Sequence, residues 1–134
     1  MAIKIKLTSV LVDNQDKALK FYTEVLGFAI SKDFDVGGGY RWITVVAPEG
    51  HPDVELALEP NANPVGKAFQ TGLFQQGIPA TAFEVDDVQA EFRRLKEHGV
   101  VFTSEPKQMG PMWLAVFADT CGNLIQIYQP SPTS

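Results

Sequence analysis

Short apolar runs and one helical stretch alternate along the first half of the chain. Apolar and polar residues alternate over residues 3–12, which predicts a strand. An apolar stripe at helical spacing occupies residues 18–26, with cap-forming residues at 13–14 before it and Gly27 after it. Three further strands are predicted at residues 28–35, 40–47 and 53–58.

The second half repeats this order of elements. Residues 80–85 predict a strand, and Asp86 or Asp87 is the expected N-cap of a helix that ends at Gly99. Strands are then predicted at about residues 100–103, 113–118 and 124–129. The pattern therefore predicts one arrangement of elements that occurs twice.

Matching spacings support this repeat. Six residues separate Leu7 from Asp13 and Ala80 from Asp86, and thirteen separate Trp42 from Glu55 and Trp113 from Gln126. The predicted fold is α+β, with two tandem βαβββ modules, each too small to bury its own sheet face.

The boundaries of this organisation follow from the repeat. We expect a single domain over residues 1–134, with module one at 3–59, a connector at 60–79 and module two at 80–129. The connector has an apolar stripe at helical spacing, formed by Val65, Phe69 and Leu73. A connector helix packed on the body is the favoured interpretation, ahead of a lid or a dimer contact.

Composition and charge narrow the classes of partner. The chain has 134 residues, of which 45% are hydrophobic and 20% charged, as is usual for a globular protein. A net charge of −5 argues against nucleic acid as a partner. No segment approaches the roughly 18 apolar residues of a membrane span. Cys121 is the only cysteine, which excludes an intrachain disulfide, and we expect a soluble cytoplasmic protein.

Three motifs resemble those of a known superfamily. "DNQDKALKFYTEVLGF" at 13–28 and "FEVDDVQAEFRRLKEHGV" at 83–100 resemble the two helix signatures of the vicinal oxygen chelate group, and "FADTCGNLIQIYQ" at 117–129 resembles its closing turn and strand. That group includes glyoxalase I, extradiol dioxygenases, and fosfomycin- and bleomycin-resistance proteins. The resemblance implies that the two modules form a curved mixed sheet around a cavity.

The same resemblance bears on metal binding. It implies that a glyoxalase-type metal would be bound near Leu7, Glu55, Ala80 and Gln126. Of these side chains only that of Glu55 is a good ligand, and the two histidines, His51 and His98, lie off the strands concerned. We therefore expect neither a metal nor another cofactor.

Strand alternation predicts what lies on the face that carries Glu55. Glu55, Ala80, Gln126 and Tyr128 all fall opposite the residues predicted to pack under the helices. If this face lines the cavity implied by the resemblance, it offers small, aromatic and polar side chains to a small molecule. The alternative is that the face is exposed to solvent or buried in a dimer.

The two tryptophans hold matching positions in the repeat. Trp42 and Trp113 would stack on a flat or cationic ligand if both faced the cavity. The alternative is that both are core aromatic residues.

Three hypotheses for function remain open. The first is a metal-free binding protein that holds a small molecule in a cavity or a homodimer groove, as the resemblance to the bleomycin-resistance branch implies. The second is a glyoxalase-like lyase, isomerase or dioxygenase in which Glu55 is a base or a metal ligand. A base would need a pKa raised by burial. The third is a structural or interaction module, since fold alone does not determine function.

Overall fold

The computed structural model describes residues 2–130 and contains the predicted elements in the predicted order. Within these residues the elements are β1 (Leu7–Val12), α1 (Gln15–Lys20), a π-helical turn (Phe21–Val25), β2 (Ala29–Asp35), β3 (Arg41–Val46), β4 (Glu55–Pro60), α2 (Pro64–Gln75), β5 (Thr81–Glu84), α3 (Val88–Glu97), β6 (Phe102–Met109), β7 (Met112–Ala118) and β8 (Leu124–Gln129). No helix among residues 2–130 is long and apolar enough to cross a bilayer.

Both modules have the same sheet topology. The first sheet has the strand order β1-β4-β3-β2 and the second the order β5-β8-β7-β6. In each sheet the first strand pairs in parallel with the fourth, and the other pairs are antiparallel. The predicted α+β fold of two tandem βαβββ modules is confirmed. The chain forms two compact units, which divide between Lys67 and Ala68.

The first helix is capped as predicted but changes form before its end. The Asn14 side chain accepts a hydrogen bond from the backbone N–H of Lys17, and Gly27 follows the helix with φ +89°. The last turn is π-helical, and the Thr23 hydroxyl donates to the carbonyl of Leu19 at 2.7 Å. This wider turn still buries Tyr22, whose ring stacks on that of Phe28.

Two strands differ from their predicted bounds by more than two residues. β1 begins at Leu7, four residues later than predicted, and Ile3 and Ile5 before it are fully exposed. β6 extends to Met109 instead of ending near residue 103. Its central residues are polar and contain two register shifts, so the sequence lacks the regular alternation that would reveal a strand.

The connector helix α2 buries a face that the sequence pattern does not predict. Val65 and Phe69 of the apolar stripe are 78% and 66% exposed, whereas Gln70 is only 6% exposed. The prediction that this stripe packs on the body is therefore wrong for these two residues. The burial of Gln70 is explained by its polar partners in the second unit.

Those partners belong to the "DTCGN" turn between β7 and β8. The buried carboxylate of Asp119 accepts hydrogen bonds from the backbone N–H groups of Cys121 and Asn123, at 2.7 and 3.0 Å, and from the Asn123 side-chain amide at 2.9 Å. Gln70 Nε2 donates to the Cys121 carbonyl at 3.2 Å and to Asn123 Oδ1 at 3.1 Å. The cost of burying this carboxyl group is offset because several donors surround it.

A substitution at Gly122 tests the contact between helix α2 and the "DTCGN" turn. Gly122 has φ +101°, and a Cβ there would lie 2.8 Å from Gln70 Nε2. Gly122→Ala should destabilise the protein by about 2–4 kcal/mol, through left-handed backbone strain and loss of the Gln70 hydrogen bonds. Gly99→Ala is the matched control, since Gly99 has φ +85° and nothing within 4 Å of its Cβ position. Urea unfolding of both variants should show the larger loss for Gly122→Ala, and equal losses would contradict the contact.

Candidate functional site

Glu55 is held on the open face of the first sheet by two side chains from neighbouring strands. Lys32 Nζ lies 2.7 and 2.8 Å from the two carboxylate oxygens, and Thr44 Oγ1 donates to Oε1 at 2.6 Å. Lys32 is in register with Thr44, and Thr44 with Ala57, two residues along β4 from Glu55. Because side chains alternate along a strand, these pairings place all three polar groups on one face.

The electrostatics of Glu55 follow from these contacts. The Lys32 ammonium, then the Thr44 hydroxyl, hold the pKa of the Glu55 carboxyl below its ordinary value. The Glu55 side chain is 23% exposed and that of Lys32 is 46% exposed, so solvent still reaches the pair. The pKa raised by burial that a catalytic base would need is therefore not present at Glu55, because the desolvation of its carboxyl is outweighed by its hydrogen bonds.

The residues at the glyoxalase-type metal positions do not fit a metal. Leu7 is in register with Glu55, and neither Leu7 nor Ala80 has an atom that coordinates a cation. An ammonium already contacts both oxygens of the Glu55 carboxylate. In the described part of the chain, no three His, Cys, Asp or Glu side chains are grouped so that they could hold a metal ion.

A groove lies in the second unit, between the end of α2 and the open face of the second sheet. Its volume is about 460 Å³, within the usual range for small-molecule sites. Its apolar walls are formed by Phe74, Pro79, Met109, Leu114, Val116 and Leu124. Its polar side chains are those of Gln75, Thr103, Ser104, Lys107 and Gln126.

Gln126 is the sequence-predicted site residue that lines this groove. It lies on β8 between Ala82 of β5 and Val116 of β7. Tyr128, two residues further along β8, shares this face and is in register with Leu114. Ala80 lies just before β5, and its backbone N–H donates to the Leu124 carbonyl at 2.8 Å.

The two tryptophans lie on different faces of their sheets. Between β3 and β4, residues that face each other are separated by an odd number of positions along the chain, as Thr44 and Ala57 are. Between β7 and β8, facing residues are separated by an even number of positions, as Val116 and Gln126 are. A separation of thirteen residues therefore places Trp42 on the same face as Glu55. The same separation places Trp113 on the face opposite to that of Gln126. Trp113 is in register with Gln108 and Gln129 instead.

Sequence reasoning missed several polar and apolar residues of these two faces. Lys32 and Thr44 lie on strands that were predicted, but their contact with Glu55 depends on a register that no turn motif specifies. Lys107 lies beyond the predicted end of its strand. Phe74 and Gln75 belong to a helix whose buried face was assigned differently.

Comparison with known proteins identifies one superfamily to which the chain is similar over most of its length. Residues 4–127 match the sequence profile of the Glyoxalase/Bleomycin resistance protein/Dioxygenase superfamily. The uncharacterized protein YurT of Bacillus subtilis (strain 168) is 54% identical over 127 residues, which cover 95% of this chain and 99% of YurT.

Two solved structures are similar to this chain over nearly its whole length. The crystal structure of UcmS2 superposes with a TM-score of 0.81 at 31% identity, covering 96% of this chain and 98% of UcmS2. TnmS3, an antibiotic binding protein from Streptomyces sp. CB03234, superposes with a TM-score of 0.76 at 35% identity, covering 98% of this chain and 99% of TnmS3.

Replacement of Lys32 tests the electrostatics of Glu55. Lys32→Met should raise the pKa of Glu55 towards its ordinary value of 4.5, because the strongest of its hydrogen bonds is removed. NMR titration of the side-chain carboxyl measures this directly. A lowered pKa stabilises the fold above the unfolded-state pKa, and this stabilisation is lost as the pH falls through the folded-state pKa. Wild-type protein should therefore lose about 0.2–1 kcal/mol more than the variant between pH 7 and pH 3.

The control for this experiment is Lys17→Met. Lys17 has the same side-chain exposure of 46% and pairs with Asp13 instead. The pKa of Glu55 should not move in this variant. An unchanged pKa of Glu55 in Lys32→Met would contradict the role assigned to Lys32.

Proposed function

Because the chain belongs to the Glyoxalase/Bleomycin resistance protein/Dioxygenase superfamily, we propose that it is a metal-free small-molecule-binding protein. The groove of the second unit is the proposed ligand site. The single observation that carries this proposal is a groove of about 460 Å³ with mostly apolar walls and a few polar side chains. Small-molecule sites in proteins combine these two properties.

A structural relative supports the same function. TnmS3, which is 35% identical and matches 98% of this chain, is an antibiotic binding protein. The proposal transfers only the binding of a small molecule to this chain. The residues that select the ligand must be argued from this chain's own groove.

The open sheet faces supply the proposed contact residues. In the second unit these are Gln126, Tyr128 and Ala80, the first of which lines the groove. In the first unit Leu7, Trp42 and Glu55 share the corresponding face, and we propose this face as a ligand-contact surface of its own. Trp113 is not part of this proposal, because its register position is on the opposite face.

The alternative of an enzyme would require Glu55 to act as a base or as a metal ligand. A general base at neutral pH works best with a pKa near 7. The pKa of Glu55 is shifted away from that value by Lys32 and Thr44. Glu55 is better suited to fixing the positions of β2, β3 and β4 relative to one another.

We further propose that the protein is a cytoplasmic homodimer. Each sheet has helices packed on one face, and apolar side chains remain outside this packing. Leu7 and Phe34 are about half exposed, and Val65 and Phe69 are more exposed still. Apolar surface of this kind is usual at contacts between protein chains. The single cysteine, Cys121, suits a reducing compartment.

Filling the groove should prevent binding without disturbing the fold. Ser104 lines the groove, whereas Gln108 lies on the same strand opposite Trp113, on the other face. Ser104→Trp should abolish the rise in melting temperature caused by a ligand that a thermal-shift screen finds, and Gln108→Trp should preserve it. The screen should include antibiotics and small metabolites. Equal responses of the two variants would contradict the groove as the ligand site.

The oligomeric state can be measured by sedimentation equilibrium. The wild-type protein should have the mass of two chains at micromolar concentration. Phe69→Asp should shift it towards the mass of one chain, because a charge would replace an exposed apolar side chain in the proposed contact. Thr71→Asp adds the same charge to another side of α2 and should leave the dimer intact. A monomeric wild-type protein would rule out the homodimer while leaving ligand binding to the groove unaffected.

A further inference from the structure

One cation is present in the wall of the groove. Lys107 is the only charged residue among the described residues that line it, and none of these is acidic. The other polar wall residues, Gln75, Thr103, Ser104 and Gln126, all have an N–H or O–H group that can donate a hydrogen bond. The wall therefore combines apolar surface with hydrogen-bond donors and one positive charge.

No carboxylate of the described chain neutralises this charge. Within residues 2–130, Lys107 forms no salt bridge of 4 Å or less. Glu105 is the nearest carboxylate along the chain and does not line the groove. Glu84 shares the open face but lies on β5, three strand spacings from β6, which is about 14 Å. The ammonium of Lys107 thus remains available to a ligand.

In the first unit, by contrast, the lysine on the open face is paired with a carboxylate. The cation on its open face, Lys32, contacts both oxygens of Glu55 and forms a neutral pair. In the second unit, the residue that corresponds to Glu55 in the repeat is Gln126, and its amide has no charge to offset that of Lys107. The lysine on the first face is therefore paired with a carboxylate, whereas among the described residues Lys107 in the wall of the groove is not.

We propose that the groove selects an apolar molecule that carries an acidic group, such as a carboxylate, sulfonate or phenolate, and that Lys107 binds this group. This inference rests on the proposed function, in which the groove is the ligand site. Lys107 determines the specificity of binding, and the apolar walls supply most of the contact area. A cation of similar shape is disfavoured because Lys107 would repel it.

The sheet register also indicates the length of the ligand. Lys107 and Gln126 lie on opposite sides of β7, with Leu114 and Val116 between them. Their backbone positions are two strand spacings apart and offset by two residues, which corresponds to about 12 Å. A molecule that spans this distance would place its acidic group at Lys107, its apolar body over Leu114 and Val116, and a hydrogen-bonding group at Gln126.

Two fluorescent probes that differ only in an acidic group test the proposal. Anilinonaphthalene sulfonate and its neutral parent, N-phenylnaphthylamine, share an apolar skeleton and become fluorescent when bound to apolar surface. The full-length protein should bind the sulfonate about fivefold more tightly than the neutral probe. Lys107→Met should remove this preference and leave the affinity for the neutral probe unchanged. Lys107→Arg should retain the preference, because it keeps the charge.

Two control variants show where the probes bind and whether the preference for the sulfonate is specific to Lys107. Ser104→Trp should lower the affinity of the protein for both probes, which would place them in the groove. Lys20→Met removes the same charge from an exposed helix position in the first unit and should change neither affinity. Raising the salt concentration should weaken sulfonate binding to the wild-type protein but not to Lys107→Met.

The outcomes separate the two proposals. If both probes bind equally in the groove, and Lys107→Met changes neither, the preference for an acidic ligand is wrong while the groove remains a binding site. If Ser104→Trp affects neither probe, or if neither binds, the groove is not the site and both proposals fail.

Discussion

The parallel pairing of the first and last strands of each module determines most of what the molecule presents to a ligand. Two adjacent parallel strands cannot be joined by a tight turn, so the chain must leave the sheet and return, and each module does so with a helix and an antiparallel hairpin. That helix covers one face of a four-stranded sheet. The other face stays open, and β4 in the first unit and β8 in the second are inner strands of their sheets. Glu55 and Gln126 project from these two strands.

Much of this arrangement could be predicted from the sequence, because it is encoded in local signals that occur twice. The intervals from Leu7 to Asp13 and from Ala80 to Asp86 predict a strand and then a helix cap in each module, and the structure has both, with each cap one residue later. Helix caps and glycines act over a few residues, so sequence reasoning captures them well. The N-caps at Asn14 and Asp87 illustrate this, since each accepts a hydrogen bond from a backbone N–H three residues later.

The candidate site was less predictable because it depends on register. A shift of one residue in a hairpin reverses the face of every side chain that follows. Trp42 and Trp113 have identical spacings to Glu55 and Gln126, yet they lie on different faces because the two hairpins differ in register. The Lys32 contact with Glu55 and the burial of Gln70 are tertiary features of the same kind. Neither depends on residues close in sequence, since Lys32 and Glu55 are 23 positions apart and Gln70 and Asn123 are 53.

The hydrogen bonds between Gln70 and the "DTCGN" turn affect how rigid the groove is before a ligand binds. Phe74 and Gln75, which form one wall of the groove, are one turn further along the same helix as Gln70. The buried amide therefore fixes the position of that wall before any ligand arrives, and it does so through a turn that is itself held by a buried carboxylate. A preorganised site loses little conformational entropy on binding. The groove should consequently discriminate between ligands by their shape more than by adapting to them, and relatives that lack this amide would accept a wider range of molecules.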